Sequence, residues 1–463
     1  MSFISFEFII LFVCCFLLYC LAGNKGRKYI LLAASSVFIG YYHPMFLVTS
    51  LLVSLLSYYA GQCIEKVRLS GHARTAYAVT VLLLVGGWIL FRYADKLSGN
   101  GSWLFPLGIS FYTFQAISYL TEIYWEEEKP EKNLTDFLLY MLFFMKFLAG
   151  PIERSAGFLP QIRNLQKPSY PMMVYGLRLI VVGLMKKLVI ADQLSPYING
   201  IFDSSHTASG IQLLMACLLY PVELYADFSG YTDMAIGGAM MFGIALSPNF
   251  NRPFVAQSTT DFWRRWHMSL SFWVRDYLYM PLASATRRWR QWGVTCSLLV
   301  TFVALGAWHG AGWTFVVYGL IQGIVIVYEL KTQTWRNAVR KSRWNRLYSA
   351  FSVIRTYLVF ALSLVFFRSA SVSEACSFIS RMSFQHNVSW KEMNIGMSDH
   401  ICIVTGAGLA LIFLYEYFMA RTDLLERLSR VPLPLRWAIY YLVIFAILAY
   451  GKFGMEEFIY LQF

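Results

Sequence analysis

Predominantly apolar stretches of about twenty residues recur along this chain, more of them than any soluble core could enclose. Lipid offers the backbone no hydrogen-bond partners, so a segment buried in it must satisfy its own peptide groups, and a helix does so. The stretches lie near 6–23, 28–42, 45–61, 76–93, 103–124, 171–190, 210–226, 293–308, 311–330, 350–367, 400–420 and 435–450. Composition agrees, at 57% hydrophobic and 14% charged, where a soluble domain carries about a quarter charged residues. The expected fold class is an all-α, polytopic integral membrane protein. No linker divides it, so residues 1–463 are expected to form a single membrane domain.

The formal net charge of +13 sits in short loops between the apolar stretches. Loops 23–28, 65–74, 331–346 and 421–430 are rich in Lys and Arg, whereas 41–44, 94–102 and 199–210 are not. That alternation sets topology, basic loops to the cytoplasm, and it gives anionic lipid a foothold. Nucleic acid is therefore not expected as a partner; membrane lipid is. The eight cysteines form no CxxC pair and no metal-ligand spacing, so neither a disulfide framework nor a metal site is expected. The first apolar stretch has its positive charge behind it, which makes it a retained span with its N-terminus outside rather than a cleaved signal.

Three segments, 135–149, 233–246 and 261–282, are apolar or amphipathic but short or interrupted by charge. They are expected to be re-entrant or interfacial helices. Irregular backbone at membrane depth needs protein or a wet cavity around it. The joints "FSG", "NFNRP" and "GAWHGAG" therefore predict a cavity in the central third of the chain.

The segment 294–329 is too long for one span and makes two only by turning tightly at "GAWHGAG". Gly306, Gly310 and Gly312 supply the freedom for that turn. His309, flanked by Trp308 and Trp313, then lies at the tip of a hairpin, where desolvation would hold it neutral and able to accept a proton. A core histidine bonded to a carbonyl is the alternative. In 258–282, Ser258 and Asp261 have the spacing of a capping box. Read as one helix, this segment puts Trp263, Trp266, His267, Trp273 and Tyr277 on one arc and Arg264, Arg265 and Arg275 on the other. The arginines would meet lipid headgroups or the phosphates of a ligand. Asp227 and Asp233 bracket "FSGYT", either as site residues or as caps of the helix that follows. Asn249, Asn251 and Arg252 make a polar turn. Lys146 lies inside an apolar run, before a break at Gly150-Pro151. No GxSxG, P-loop, HExxH or carboxylate pair is present.

"DFSGYTDMAIG", "NFNRPF", "DFWRRWHMSLSFWVRDYLY" and "GAWHGAGWTFVVYG", in this order, resemble the membrane-bound O-acyltransferase family. The likeness is greatest to its bacterial branch, which includes the membrane subunit of alginate O-acetylation and relatives for peptidoglycan and D-alanyl transfer. "PLGISFYTFQAISYLTEIY", "AGPIER" and the terminal "EEFIYLQF" extend it over most of the chain. The resemblance implies a ring of about 11–12 transmembrane helices around a central tunnel, with a motif-bearing core at 103–330 flanked by helices in 1–102 and 331–463. It implies that His309 is the catalytic histidine and His267 the second, more variable position. Where that branch carries a further histidine past the hairpin, this chain has Gln322, which cannot take a proton at neutral pH.

The expected activity is acyl transfer, most simply O-acetyl, from a cytoplasmic thioester to hydroxyls of an exported or envelope polysaccharide at a bacterial inner membrane. The donor would be acetyl-CoA or an acyl-carrier thioester; no bound cofactor is expected. His309 and His267 would be catalytic, with Trp266, Arg264, Arg265, Arg275, Asp227, Asp233, Trp308 and Gln322 around donor or substrate. The chain offers no extramembrane domain of its own, so an exported SGNH-type acyltransferase is the expected partner. D-alanyl transfer to teichoic acid from a carrier protein is the alternative enzyme, and a transporter or channel the alternative of another class.

Overall fold

The structure is a computed structural model that describes residues 1–98, 106, 108–383 and 389–454. Part of the loop 94–102, the start of the span at 103–124 and the terminal "EEFIYLQF" lie outside the described residues. Among those described no strand occurs, and eight helices are long and apolar enough to cross a membrane. The chain is a polytopic, all-α membrane protein.

The described chain forms two compact units, Met1–Ile180 with Tyr231–Pro248, and Val181–Gly230 with Asn249–Phe463. The first carries α1 (Phe6–Leu21), α2 (Asn24–Tyr42), α3 (Pro44–Lys66), α4 (Ala73–Ser98), α5 (Ile109–Tyr124), α6 (Leu134–Leu142), α7 (Phe144–Phe147), α8 (Ser155–Arg163) and most of α9 (Tyr170–Leu184). A π-helical turn at Met185–Ala191 runs on into α10 (Asp192–Asp203), and α11 (Gly210–Met241) follows. The second unit then adds α12 (Thr259–Trp263), α13 (Met268–Val274), a π turn at Arg275–Tyr279, α14 (Met280–Ala285), α15 (Gln291–His309) and α16 (Trp313–Lys331). It closes with α17 (Gln333–Lys341), α18 (Asn345–Arg368), α19 (Val372–Arg381), α20 (Trp390–Met393), α21 (Asp399–Met419), α22 (Leu424–Arg427) and α23 (Leu433–Tyr450).

In the first unit α6 and α7 are short and almost wholly buried. Lys146, the cation inside an apolar run, is 3% exposed. It donates to Gln115 Oε1 at 2.5 Å, and its Nζ lies over the Tyr140 and Phe158 rings. Burial outweighs the attraction of Glu153 and lowers the Lys146 amine below the usual lysine range.

Two expectations are corrected here. Residues 233–246 are not a separate re-entrant helix, because α11 runs unbroken through "DFSGYTD". The polar string reads as a joint, yet a helix satisfies its peptide groups at any depth. Gly230 serves packing instead: a Cβ there would stand 2.8 Å from the Gly183 carbonyl oxygen. Asp227 and Asp233 therefore lie inside a helix, and neither caps one. The segment 258–282 is likewise not one amphipathic helix. His267 takes a left-handed conformation, φ 43° and ψ 55°, and splits it into α12 and α13. That costs a non-glycine residue about 1–2 kcal/mol. Two backbone hydrogen bonds offset it, Asn251 N to Arg265 O at 2.9 Å and Met268 N to Asn249 O at 2.8 Å. A wheel drawn at a constant turn through 261–278 thus loses register at His267.

Candidate active site

The site lies in the second unit and is built on the α15–α16 hairpin. Its arms touch backbone to backbone: a Cβ on Gly306 would meet the Phe315 carbonyl at 2.2 Å, and one on Gly319 would meet that of Phe302 at 2.1 Å. His309 ends α15, with Gly310 following in extended backbone. Its ring is 7% exposed and packs edge-on against Phe367 and Tyr318, with centroids 5.2 and 5.9 Å away. Trp308 lies beside it at 4.7 Å. The tip of the hairpin is thus a buried imidazole in an aromatic collar.

His267, 1% exposed, enters the same unit from the joint between α12 and α13. Its Nδ1 is 3.1 Å from Asn249 Oδ1, and Phe228 stands edge-on to its ring at 4.7 Å. Burial, and after it the repulsion that a protonated His309 nearby would exert, holds the His267 ring well below the usual imidazole range, so it is neutral at physiological pH. Sequence reasoning paired these histidines only through the family likeness; the fold brings them within electrostatic reach.

A cavity of about 1280 Å³ opens among residues 252–340. Apolar side chains of α15 and α16 form one part, including Leu298, Phe302, Leu305 and Ile326. Six arginines and two carboxylates lie in the remainder of the lining. Arg264, Arg265 and Arg275, expected from the sequence, all line it, joined by Arg252, Arg336 and Arg340. Arg265 is tied to Asp261 at 2.9 Å and Arg275 to Asp276 at 2.6 Å. Arg252, Arg264 and Arg340 have no carboxylate partner among the described residues, and the buried Nε of Arg252 and of Arg340 makes no hydrogen bond there. The Thr301 hydroxyl, also in the lining, has no partner among the described residues either. Cationic forks beside an apolar slot suit a ligand with phosphates at one end and an uncharged arm at the other. On α15 the lining ends at Leu305, one turn and about 6 Å of axial rise before His309.

Three helices converge on the arginine end through Glu329, which sequence reasoning missed. Its carboxylate on α16 accepts from Thr259 N at 2.9 Å and Thr260 N at 3.3 Å, the first N–H groups of α12. Arg355 of α18 donates to it at 3.0 Å. Ser258 caps the same helix, accepting from Asp261 N at 3.0 Å, as its spacing predicted. The Asp261 carboxylate does not complete a box, because it pairs with Arg265 instead.

The remaining expected residues have definite structural neighbours. Trp266, 2% exposed, packs among Phe250, Phe262 and Phe360. Asp227 receives Lys187 Nζ at 2.6 Å, and the same amine reaches Asp192 at 2.8 Å. Asp233 lies further along α11, half-buried, in the first unit. Gln322 joins three helices: its Oε1 accepts from Trp263 Nε1 at 3.1 Å, and its Nε2 donates to Ser363 Oγ at 2.8 Å. Gln322→Leu leaves the Trp263 donor unpaired and loses both bonds. It is expected to lower stability by about 1–3 kcal/mol, read as the thermal midpoint in detergent; an unchanged midpoint would deny Gln322 this bracing role.

Residues 45–371 match the model of the membrane-bound O-acyltransferase family. A probable alginate O-acetylase of Azotobacter vinelandii is 34% identical, over 81% of this chain and 76% of its own length. A peptidoglycan O-acetyltransferase of Helicobacter pylori is 31% identical over 78% and 74%. A teichoic acid D-alanyltransferase of Streptococcus thermophilus is 28% identical over 64% and 74%.

Proposed function

Because this chain belongs to the membrane-bound O-acyltransferase family, we propose that it is an O-acetyltransferase of a bacterial inner membrane. It moves acetyl from a cytoplasmic thioester toward hydroxyls of an exported or envelope polysaccharide, with His309 as the base. The observation that carries this reading is the alignment of parts on one helix, an arginine-lined cavity that ends one turn before a buried histidine.

In the proposed reaction, phosphates of acetyl-CoA, or the phosphodiester of a carrier protein's arm, meet Arg264, Arg252 and Arg340. The pantetheine arm lies along Leu298, Phe302 and Leu305, with its amides within the range of groups such as Thr301. Uncharged His309 accepts the proton of the acceptor hydroxyl as that oxygen bonds to the thioester carbonyl carbon. The carbon–sulfur bond breaks, and the proton passes from the imidazole to the departing thiolate. Trp308 walls the reacting centre and Trp266 supports the loop that carries His267. Asp227 acts through Lys187 to hold α11, whose Phe228 backs the His267 ring. An exported SGNH-type protein is the proposed receiver where the polymer itself does not enter.

Membranes bearing the protein are expected to transfer labelled acetyl from acetyl-CoA to cell-surface polysaccharide. Incorporation of D-alanine from a carrier protein, with none from acetyl-CoA, would move the assignment to the alanyl branch. Ligand flux in liposomes without any acyl transfer would end it. Arg264→Glu sets a like charge against the donor phosphates and is expected to raise the KM for acetyl-CoA about 10-fold or more, equivalent to about 1.4 kcal/mol. A changed kcat at constant KM would remove Arg264 from donor binding.

A further inference from the structure

The turn that contains Asn249 and Asn251 is laced to the joint containing His267 by the two backbone bonds already described. Within it, one atom gathers three donors. Asn249 Oδ1 lies 3.2 Å from Ser269 N, 2.9 Å from Ser269 Oγ and 3.1 Å from His267 Nδ1. A backbone N–H can only donate, so the atom facing Ser269 N must be the amide oxygen; the amide nitrogen there would set donor against donor. The imidazole nitrogen that faces the same oxygen must then carry a proton. A neutral imidazole has one N–H, so Nδ1–H leaves Nε2 with the lone pair.

Both side chains are 1% exposed, so water does not compete for the tautomer. The edge-on Phe228 ring and the left-handed backbone fix the plane of the imidazole. Asn249 Nδ2, also buried, makes no hydrogen bond among the described residues. The amide thus keeps its oxygen toward Ser269 and His267 although its own donors find no protein partner.

From this geometry we propose, resting on the acyl transfer proposed above, that Asn249 is a positioning residue that commits His267 to the acceptor alcohol. With the lone pair on its buried Nε2, neutral His267 accepts a hydrogen bond from a hydroxyl brought to it. It has no proton to give to the thioester carbonyl, which is itself an acceptor. The two histidines then divide the work: His309 removes the proton, and His267 orients the oxygen that attacks.

The test uses membranes containing the full chain, with acetyl-CoA and the native polysaccharide as substrates. Asn249→Asp keeps an acceptor opposite Nδ1 and adds a negative charge. It is expected to retain transfer while moving the acid limb of the pH–rate profile upward by about 1–3 units, since a carboxylate favours the charged imidazolium. Asn249→Leu removes the acceptor at similar size and is expected to lower kcat by about 10–100-fold. It should raise the KM for polysaccharide and leave that for acetyl-CoA in place. An acid limb in Asn249→Asp identical to that of the unaltered protein overturns the inference, as does a rise in KM for acetyl-CoA alone. If the leucine variant does not accumulate, the aspartate limb decides by itself. His267→Ala separates the two levels. Full transfer by that variant overturns this inference and leaves the functional reading standing, as does an unmoved Asn249→Asp limb, whereas no acetyl transfer by the unaltered protein overturns the functional reading and the inference with it.

Discussion

Acyl transfer falls by about 10²–10⁴-fold when His309 is replaced by alanine, while the protein remains in the membrane and keeps its fold. The size of the loss follows from the role assigned to the ring: it takes the proton that otherwise stays on the attacking hydroxyl. The fold survives because the hairpin is held elsewhere. Gly306 and Gly319 bring α15 and α16 together three and ten residues along the chain from the imidazole, and Phe367, Tyr318 and Trp308 remain to close the space. His309→Gln, which refills part of the volume without a basic nitrogen, is expected to give the same loss. Acetyl content of the polysaccharide and protein abundance in the same membranes check both halves. Transfer undiminished in either variant would remove His309 from the chemistry.

Lys187→Met lowers stability by about 3–5 kcal/mol. Lys187 is the cation of a buried triad, bonded to Asp227 at 2.6 Å and Asp192 at 2.8 Å. Methionine matches its shape but leaves two carboxylates, 1% and 2% exposed, without their common counter-ion. The π turn at Met185–Ala191, the start of α10 and the middle of α11 lose their shared anchor. Neutralising the carboxylates as well, with Lys187→Met, Asp192→Asn and Asp227→Asn together, is expected to recover most of the loss, because the penalty lies in the stranded charge more than in the missing bonds. Unfolding of the purified protein in detergent measures each variant. Activity should follow the same order, since Asp227 precedes Phe228, the residue that backs His267. A triple variant no more stable than Lys187→Met would show that the bonds, not the charge, carry the triad.

Much of this molecule is written in periodicity and local chemistry. Apolar length alone marks the spans, because a bilayer tolerates little besides helices. The glycines of "GAWHGAG" announce a tight hairpin with an ionisable residue at its tip, and Ser258 announces a helix start. The arginines of 264–275 declare a cationic surface, and they do line the cavity. Three things were illegible for one reason each. "DFSGYTD" looked like a break because its polarity is visible in the sequence and the amine that neutralises Asp227, forty residues away on the π turn, is not. The wheel through 258–282 failed because one left-handed residue, His267, resets the register, and its conformation depends on hydrogen bonds to a distant turn. Glu329 carried no signal in the sequence, because the N-terminus of α12 that it caps lies seventy residues away.

Sequence by itself determined the solvent in which this chain folds, the places of the eight helices long and apolar enough to span a membrane among the described residues, and the residue types available for acyl transfer, since those follow from transfer free energy and backbone self-satisfaction residue by residue. Tertiary structure alone decided which charges neutralise one another, which arginines keep their forks available, and which group faces Nδ1 of His267. Those outcomes depend on pairs of groups remote in the chain, and in a dry interior the energy of each group is set by the partner it meets.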